Sequence, residues 1–186
     1  GDFSQLNDPD PPFSSVARQR LAAIDMNTGD VLPWNPGADG QVIALAVSGN
    51  NVFVGGQQVQ CGGQTRPYLS VVDRTSGLAT SWAPQISNGY VKAFAVSAGR
   101  LFFTGQFNSV DGVGRTGAAC FDLATSTLTN WAPQPDDLIR TMVVHNSSVY
   151  LGGAFTTMGG VARERAAQVD DQFGNLLGWA PTVIGG

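Results

Sequence analysis

Asp39, Asn88 and Asp136 occupy the same place in three successive stretches of this chain, each just ahead of an apolar run, and Asp137 follows the last of them. Carboxylate and amide oxygens are hard donors. Gathered round one opening, they would suit a cation or the hydroxyl groups of a ligand, with Asp39, Asp136 and Asp137 as the candidate metal set. The same residue types also start turns by accepting backbone N–H groups, so a purely local role is the competing reading. Little else offers chemistry. His145 is the one histidine and sits in the turn His145-Asn146-Ser147-Ser148, and Glu164 is the one glutamate. Neither a Ser-His-Asp set nor a zinc cluster can be built on a lone turn histidine. A glycosidase pair would have to come from aspartates. The run Asp25 to Asp30 alternates oxygen donors with a glycine, as calcium loops do, but Asp73–Leu78 and Asp122–Thr127 lack most of those donors. An ordinary turn is expected there. No catalytic residue and no cofactor is expected.

The elements that must position these groups repeat. Trp-x-Pro recurs at Trp34, Trp82, Trp131 and Trp179, at intervals of 48, 49 and 48 residues. Arg18, Arg66, Arg115 and Arg163 keep the same intervals, as do Asp25, Asp73, Asp122 and Asp170. A period near 50 is the signature of stacked or radial repeats. Repetition also sorts residues by role. A residue present in every copy serves the repeat, whereas a polar residue present in one copy is freer to serve function. The tryptophans are therefore expected to pack, and the arginines to bind loop carbonyls or an aspartate with their fixed donors.

Composition points to strands. Of 14 acidic residues all but Glu164 are aspartate, and of 10 basic ones all but Lys92 are arginine. Aspartate favours turns, and Glu and Lys, the helix formers, are nearly absent. Gly 24 and Pro 10 fit many tight turns, and 42% hydrophobic residues supply a core. A net charge of -4 argues against a nucleic-acid partner. No run of about 18 apolar residues exists to span a membrane. Cys61 falls in a loop and Cys120 near the far end of a strand, too far apart for a disulfide, so each is expected as a small buried hydrophobe.

Each full repeat reads as four strands. The first (QVIALAV, YVKAFAV, LIRTMVV) and second (NNVFVGG, GRLFFTG, SSVYLGG) are apolar on both faces, as strands covered on both sides are. The fourth is short, polar and closed by Trp-x-Pro. The expected fold is all-β, a β-propeller with four-stranded blades of about 48 residues. The blades run 37–84, 85–133 and 134–181. Residues 1–36 make a partial blade with only its outer strands and a Pro-rich insertion at 4–17, expected as a loop. Residues 182–186 resemble the start of a further strand. Gly1-Asp2-Phe3 aligns with Gly105-Gln106-Phe107, which suggests a piece of a longer polypeptide.

Gly-x-Phe after the second strand, the glycine-rich loop, the Arg, Asp-x-x-Thr-Gly and Trp-x-Pro together resemble the delta-60-type propeller repeats of secreted and surface bacterial proteins, a family without a defined biochemical function. The resemblance spans nearly the whole chain and is closest in the third and fourth repeats. Gln58 stands where Phe107 and Phe155 lead one to expect an aromatic. A second resemblance is to kelch repeats, which usually place a Tyr where Ile24, Val72, Phe121 and Val169 stand here. The family resemblance implies an extracellular or cell-surface, non-catalytic module for structure, adhesion or protein–protein contact. Its partners would be other copies or the rest of a longer chain. A carbohydrate-binding module is the alternative, with Phe13, Tyr68 and Tyr90 as the aromatics outside the repeated set; a propeller-type hydrolase ranks third. Because the partial blade lacks its inner hairpin, a bare apolar flank is expected on its neighbour, to be filled by another strand.

Overall fold

The computed structural model describes residues 2–7 and 15–181, and among these all regular structure is β. The chain divides into two compact units, Gly1–Pro84 and Gln85–Gly186, at a repeat boundary.

The first unit opens with β1 (Gln5–Asn7) and β2 (Ser15–Ala17), an antiparallel pair with Leu6 opposite Val16. Then follow β3 (Val42–Ser48), β4 (Asn51–Gly56), β5 (Gln60–Cys61), β6 (Gln64–Thr65) and β7 (Leu69–Asp73). The main sheet has the order β3-β4-β7, and β5 and β6 form a hairpin of their own. Leu21, Val42, Val52, Val54, Cys61 and Val72 make its buried cluster, with Trp34 packed against it.

The second unit holds β8 (Ile86–Ser87), β9 (Tyr90–Ser97), β10 (Arg100–Gln106), β11 (Ser109–Val110), β12 (Val113–Gly114), β13 (Ala118–Asp122), β14 (Thr127–Leu128), β15 (Ile139–His145), β16 (Ser148–Gly153), β17 (Thr157–Met158), β18 (Val161–Ala162) and β19 (Ala166–Asp170). Its sheets run β14-β13-β10-β9, β12-β11-β8, β15-β16-β19 and β17-β18. The first and third of these pack over one core, where Phe102, Cys120 and Trp131 meet Met142, Leu151 and Val169. Burial of side chains this large is the main favourable term in such a fold.

Recurrent glycines have a physical cause. A Cβ on Gly56, Gly105 or Gly153 would collide with the carbonyl oxygen of Gln41, Tyr90 or Leu138, on or just before the paired first strand. Only glycine lets the two backbones approach at the bulge found there. The glycine-rich loops are tight hairpins. Gly62-Gly63, Asp111-Gly112 and Gly159-Gly160 all take positive φ, the geometry of two-residue primed turns.

Two expectations need correction. The insertion at 4–17 is not simply a loop, since its flanks pair as β1 and β2. They correspond to β11–β12 and β17–β18, with seven more residues between the paired segments in sequence. The fourth strand is nearly vestigial. It is the two-residue β14 in one repeat and a single bridge elsewhere, Ile24–Val31, Val72–Ala79 and Val169–Leu176. Trp-x-Pro lies beyond it. Phe13 and residues 182–186 lie outside the described residues.

Candidate functional site

Asp39 sits in the connection ahead of β3, and its Oδ1 accepts the N–H groups of Val59 and Gln60, each at 2.8 Å. Asp136 does the same one unit on, accepting Thr156 N–H at 2.8 Å and Thr157 N–H at 2.9 Å, while the Thr156 hydroxyl donates to its Oδ2 at 2.6 Å. Asn88 Nδ2 donates to Asn108 Oδ1 at 3.1 Å. Each side chain therefore ties its connection to the short hairpin about 20 residues later. This is a long-range strut rather than the local turn that the residue type suggested. Asp137 Oδ1 accepts the N–H of Leu138 at 2.6 Å.

The electrostatics follow from these donors. The Thr156 hydroxyl and the Thr157 amide hold the Asp136 carboxyl down at about 2. Partial burial pushes Asp39 up, but the Gln60 and Val59 amides outweigh it and keep it below the usual carboxylate range. An oxygen facing two N–H donors is poorly placed for a cation. Among the described residues no three His, Cys, Asp or Glu side chains converge as metal ligands. A cavity of about 290 Å³ lies beside Asp136 and Asp137, lined also by Phe107, Thr116 and Pro135.

The aspartate of each repeat caps its own turn. Asp25 Oδ1 accepts the N–H groups of Asn27 and Thr28, and Asp73 those of Thr75 and Ser76. Asp122 accepts from Ala124 and Thr125, and Asp170 from Gln172 and Phe173. The segment from Asp25 to Asp30 is built the same way, with amides pointing where a calcium ion would need oxygens.

The arginines bind main-chain oxygens. Arg18, Arg66, Arg115 and Arg163 each donate to the carbonyl of the preceding residue and to one 14 residues on, that of Leu32, Thr80, Thr129 or Leu177. The tryptophans differ among themselves. Trp131 is fully buried, edge-on to Phe102 at 5.1 Å, and Trp82 meets Phe53 in the same way at 5.8 Å. Trp34 is partly buried, and Trp179, though edge-on to Tyr150, remains 44% exposed.

Of the aromatics outside the repeated set, Tyr68 belongs to the first unit and Tyr90 to the second. Tyr68 is half-buried with a positive φ of 67°, a backbone state that recurs at Arg20, Gly117 and Arg165. The place is a bend of the repeat, not a platform. Tyr90 opens β9 opposite Gln106. Cys61 and Cys120 are buried free thiols, pushed by desolvation to about 11 and about 12. His145 is exposed and touches Asn146, and Glu164 is exposed.

Two further features stand out, of which the first escaped sequence reasoning. Arg100 Nη2 donates to Asp171 Oδ2 at 2.8 Å and its Nη1 to the Asp171 carbonyl, a largely buried pair joining β10 to the turn after β19. The signal for Arg100 was a charged residue at a position held by Asn51 and Ser148 in other copies, whereas the position of Asp171, which holds Met26, Arg74 and Leu123 elsewhere, gave none. The second feature is an apolar slot in the first unit, about 540 Å³, lined by Ala22, Ala23, Leu32, Trp34, Leu45 and Val47 among others. A smaller cavity of about 290 Å³ continues it past Ala22 and Leu45 to Phe3 and Ile43.

This is a repeat-built all-β chain whose recurrent polar groups serve the repeat. No protein-family profile and no curated protein sequence matches it. Among solved structures it is similar to the computationally designed Ika8 protein, at 16% sequence identity and a TM-score of 0.55. The likeness covers 94% of this chain and 45% of the designed one, so the chain spans less than half of that protein's length. At this identity the likeness is one of fold alone.

Proposed function

We propose that the chain is a β-propeller segment acting as a non-catalytic extracellular module for structural, adhesive or protein–protein contact. The propeller reading is supported by the 48-residue period, by repeats built as three strands plus a vestigial fourth, and by the resemblance of their motifs to delta-60-type repeats. That resemblance is also the ground for an extracellular or cell-surface setting. The observation that carries the non-catalytic reading is the engagement of Asp39, Asp136 and the four turn aspartates with backbone amides of their own repeats. Residues so engaged are struts, and the surface left for function is apolar slot and loop.

The carbohydrate-binding alternative rests on Phe13, Tyr68 and Tyr90, of which Phe13 lies outside the described residues and Tyr68 is held in a bend. A glycan array and a broad hydrolase substrate panel, run on the intact chain, test the reading. Both are expected to be blank. Turnover above buffer background overturns the non-catalytic assignment, and saturable glycan capture transfers the function to the alternative.

A further inference from the structure

The bend that follows the short hairpin of each repeat is tied down in the same way throughout. The N–H groups of Arg20, Tyr68, Gly117 and Arg165 donate to the carbonyls of Phe3, Gln58, Phe107 and Phe155. The four positions are therefore equivalent, and one of them holds a glycine. What a side chain does there is visible at Arg20 in the first unit. Its Nη1 donates to the Ala38 carbonyl at 3.0 Å and its Nε to Asp2 Oδ1 at 3.1 Å, and Asp39 lies within reach of its charge. A guanidinium thus occupies the place between the bend of one repeat and the connection into the next.

The second unit builds the same place without that guanidinium. Gln106, Pro135 and Asp136 stand where Asp2, Ala38 and Asp39 do, and Gly117 stands at the position of Arg20. All four line the cavity of about 290 Å³. The carboxylate lost at Gln106 returns with Asp137, which lines the cavity too. Gly40 and Gly89 hold the place of Asp137 in the earlier repeats, where a Cβ would collide with the carbonyl oxygens of Gln57 and Gln106. The fourth repeat makes room for a side chain there, and that side chain is an acid. Among the described residues no cation pairs with Asp136 or Asp137. Asp137 uses Oδ1 for the Leu138 amide, and among the described residues its Oδ2 and the side chains of Gln106 and Thr116 make no hydrogen bond.

We infer that this cavity receives an arginine side chain of a partner protein, in the place that Arg20 fills from within in the first unit. The inference rests on the contact-module reading above and gives the chemistry of the partner. Two carboxylates with no cation attract positive charge, and a metal ion is ill served because Asp136 Oδ1 already faces two amides. A guanidinium spreads five donors in one plane, which suits acceptors set apart as Asp137 Oδ2, Gln106 Oε1 and the Thr116 hydroxyl are. Phe107, Pro135 and Leu138 supply apolar wall for the stem. At about 290 Å³ the cavity lies at the lower bound of small-molecule pockets, a size for one side chain. Arginines seated in such pockets are frequent anchors of protein contacts.

The test titrates the intact chain with acetyl-arginine amide and follows the backbone amide resonances of Gln106, Gly117 and Asp137. Saturable shifts with a dissociation constant of about 1 mM are expected. Acetyl-citrulline amide, the uncharged isostere, should bind about tenfold more weakly or less. Asp137→Asn keeps the acceptor for Leu138 and should cost about tenfold in affinity. Gly117→Arg rebuilds the arrangement of Arg20, whose φ of 62° matches the 64° of Gly117, and should abolish binding. Near-ultraviolet circular dichroism verifies the fold of both variants, and if Gly117→Arg does not fold, Asp137→Asn and the citrulline probe decide. Shifts that do not saturate, equal binding of the citrulline probe, or undiminished binding by Asp137→Asn overturns the inference. Equal binding of acetyl-lysine amide overturns the choice of arginine. Blank glycan and hydrolase panels with no arginine binding remove this site and leave the module reading standing, whereas turnover removes that reading whatever the probe does.

Discussion

Trp131 donates its indole N–H to the main-chain oxygen of Asp170 at 2.9 Å, 39 residues further along the chain. Trp34 and Asp73 stand in the same relation at 3.1 Å. Asp170 meanwhile uses its carboxylate to cap its own turn, so one residue closes a local bend and receives the preceding repeat. The tryptophan thus joins successive repeats, and the arginine, which bonds only within its own, closes each one.

Trp131→Ala removes a fully buried ring and that link, and is expected to cost about 3–5 kcal/mol. Trp179→Ala, on a half-open ring edge-on to Tyr150, is expected to cost about 1 kcal/mol in dilute solution. Urea unfolding of both variants checks the contrast. Equal losses would mean that the four tryptophans are energetically alike despite their different burial.

Arg100 and Asp171 form the buried charged pair of the second unit, and one oxygen of Asp171 has no partner. Arg100→Met leaves that carboxylate uncompensated and is expected to cost about 3 kcal/mol. The double variant Arg100→Met/Asp171→Leu should recover most of the loss, since a packed apolar pair replaces a desolvated ionic one. A double variant as unstable as the single one would show that Arg100 acts through packing over Phe102, 5.4 Å away.

Gln58 is fully buried where Phe107 and Phe155 stand in the later repeats. Its Nε2 donates to the Val54 carbonyl at 3.1 Å, but its Oε1 has no partner. Gln58→Met keeps the volume and removes the unsatisfied oxygen, so stability should hold or rise by about 1 kcal/mol. A clear loss in thermal melting would show that the amide's donor bond outweighs the orphaned oxygen.

Asp136 titrates at about 2 in the folded chain, against an ordinary value of 3.8. Between these values the unfolded chain binds the proton and the folded chain does not, so stability rises with pH. The contribution is fully present above the ordinary carboxylate value and is lost as pH falls through the folded one. Thr156→Val removes the first of the donors responsible and should move the Asp136 titration up towards 3.8, read by carboxyl-carbon NMR. An unmoved titration would assign the depression to the backbone amides alone.

Much of the repeat was legible because its residues recur. Trp, Arg and Asp in step located the strands and turns, whereas the stretches expected as glycine-rich loops form short hairpins of their own. What recurs in geometry but not in residue type stayed hidden. The left-handed bend at Arg20, Tyr68, Gly117 and Arg165 shows a glycine only once, so Tyr68 read as a free aromatic. Asp39 and Asp136 read as turn starters because their partners, Val59 to Gln60 and Thr156 to Thr157, lie about 20 residues away and carry no distinctive sequence. The prolines of the insertion masked β1 and β2, whose three residues each are too few to show alternation. Arg100 and Asp171 are 71 residues apart and occur once, beyond the reach of any periodic signal.

The ribbon of β1 and β2 keeps the register of its shorter relatives while carrying seven extra residues between its strands. Length added at that point is absorbed without shifting Arg18 or Asp25, because the paired residues below the tip fix the way back into the repeat. The equivalent tips at Gly62-Gly63, Asp111-Gly112 and Gly159-Gly160 share this construction. The scaffold thus has four matching ports where peptide can be inserted without disturbing the repeat.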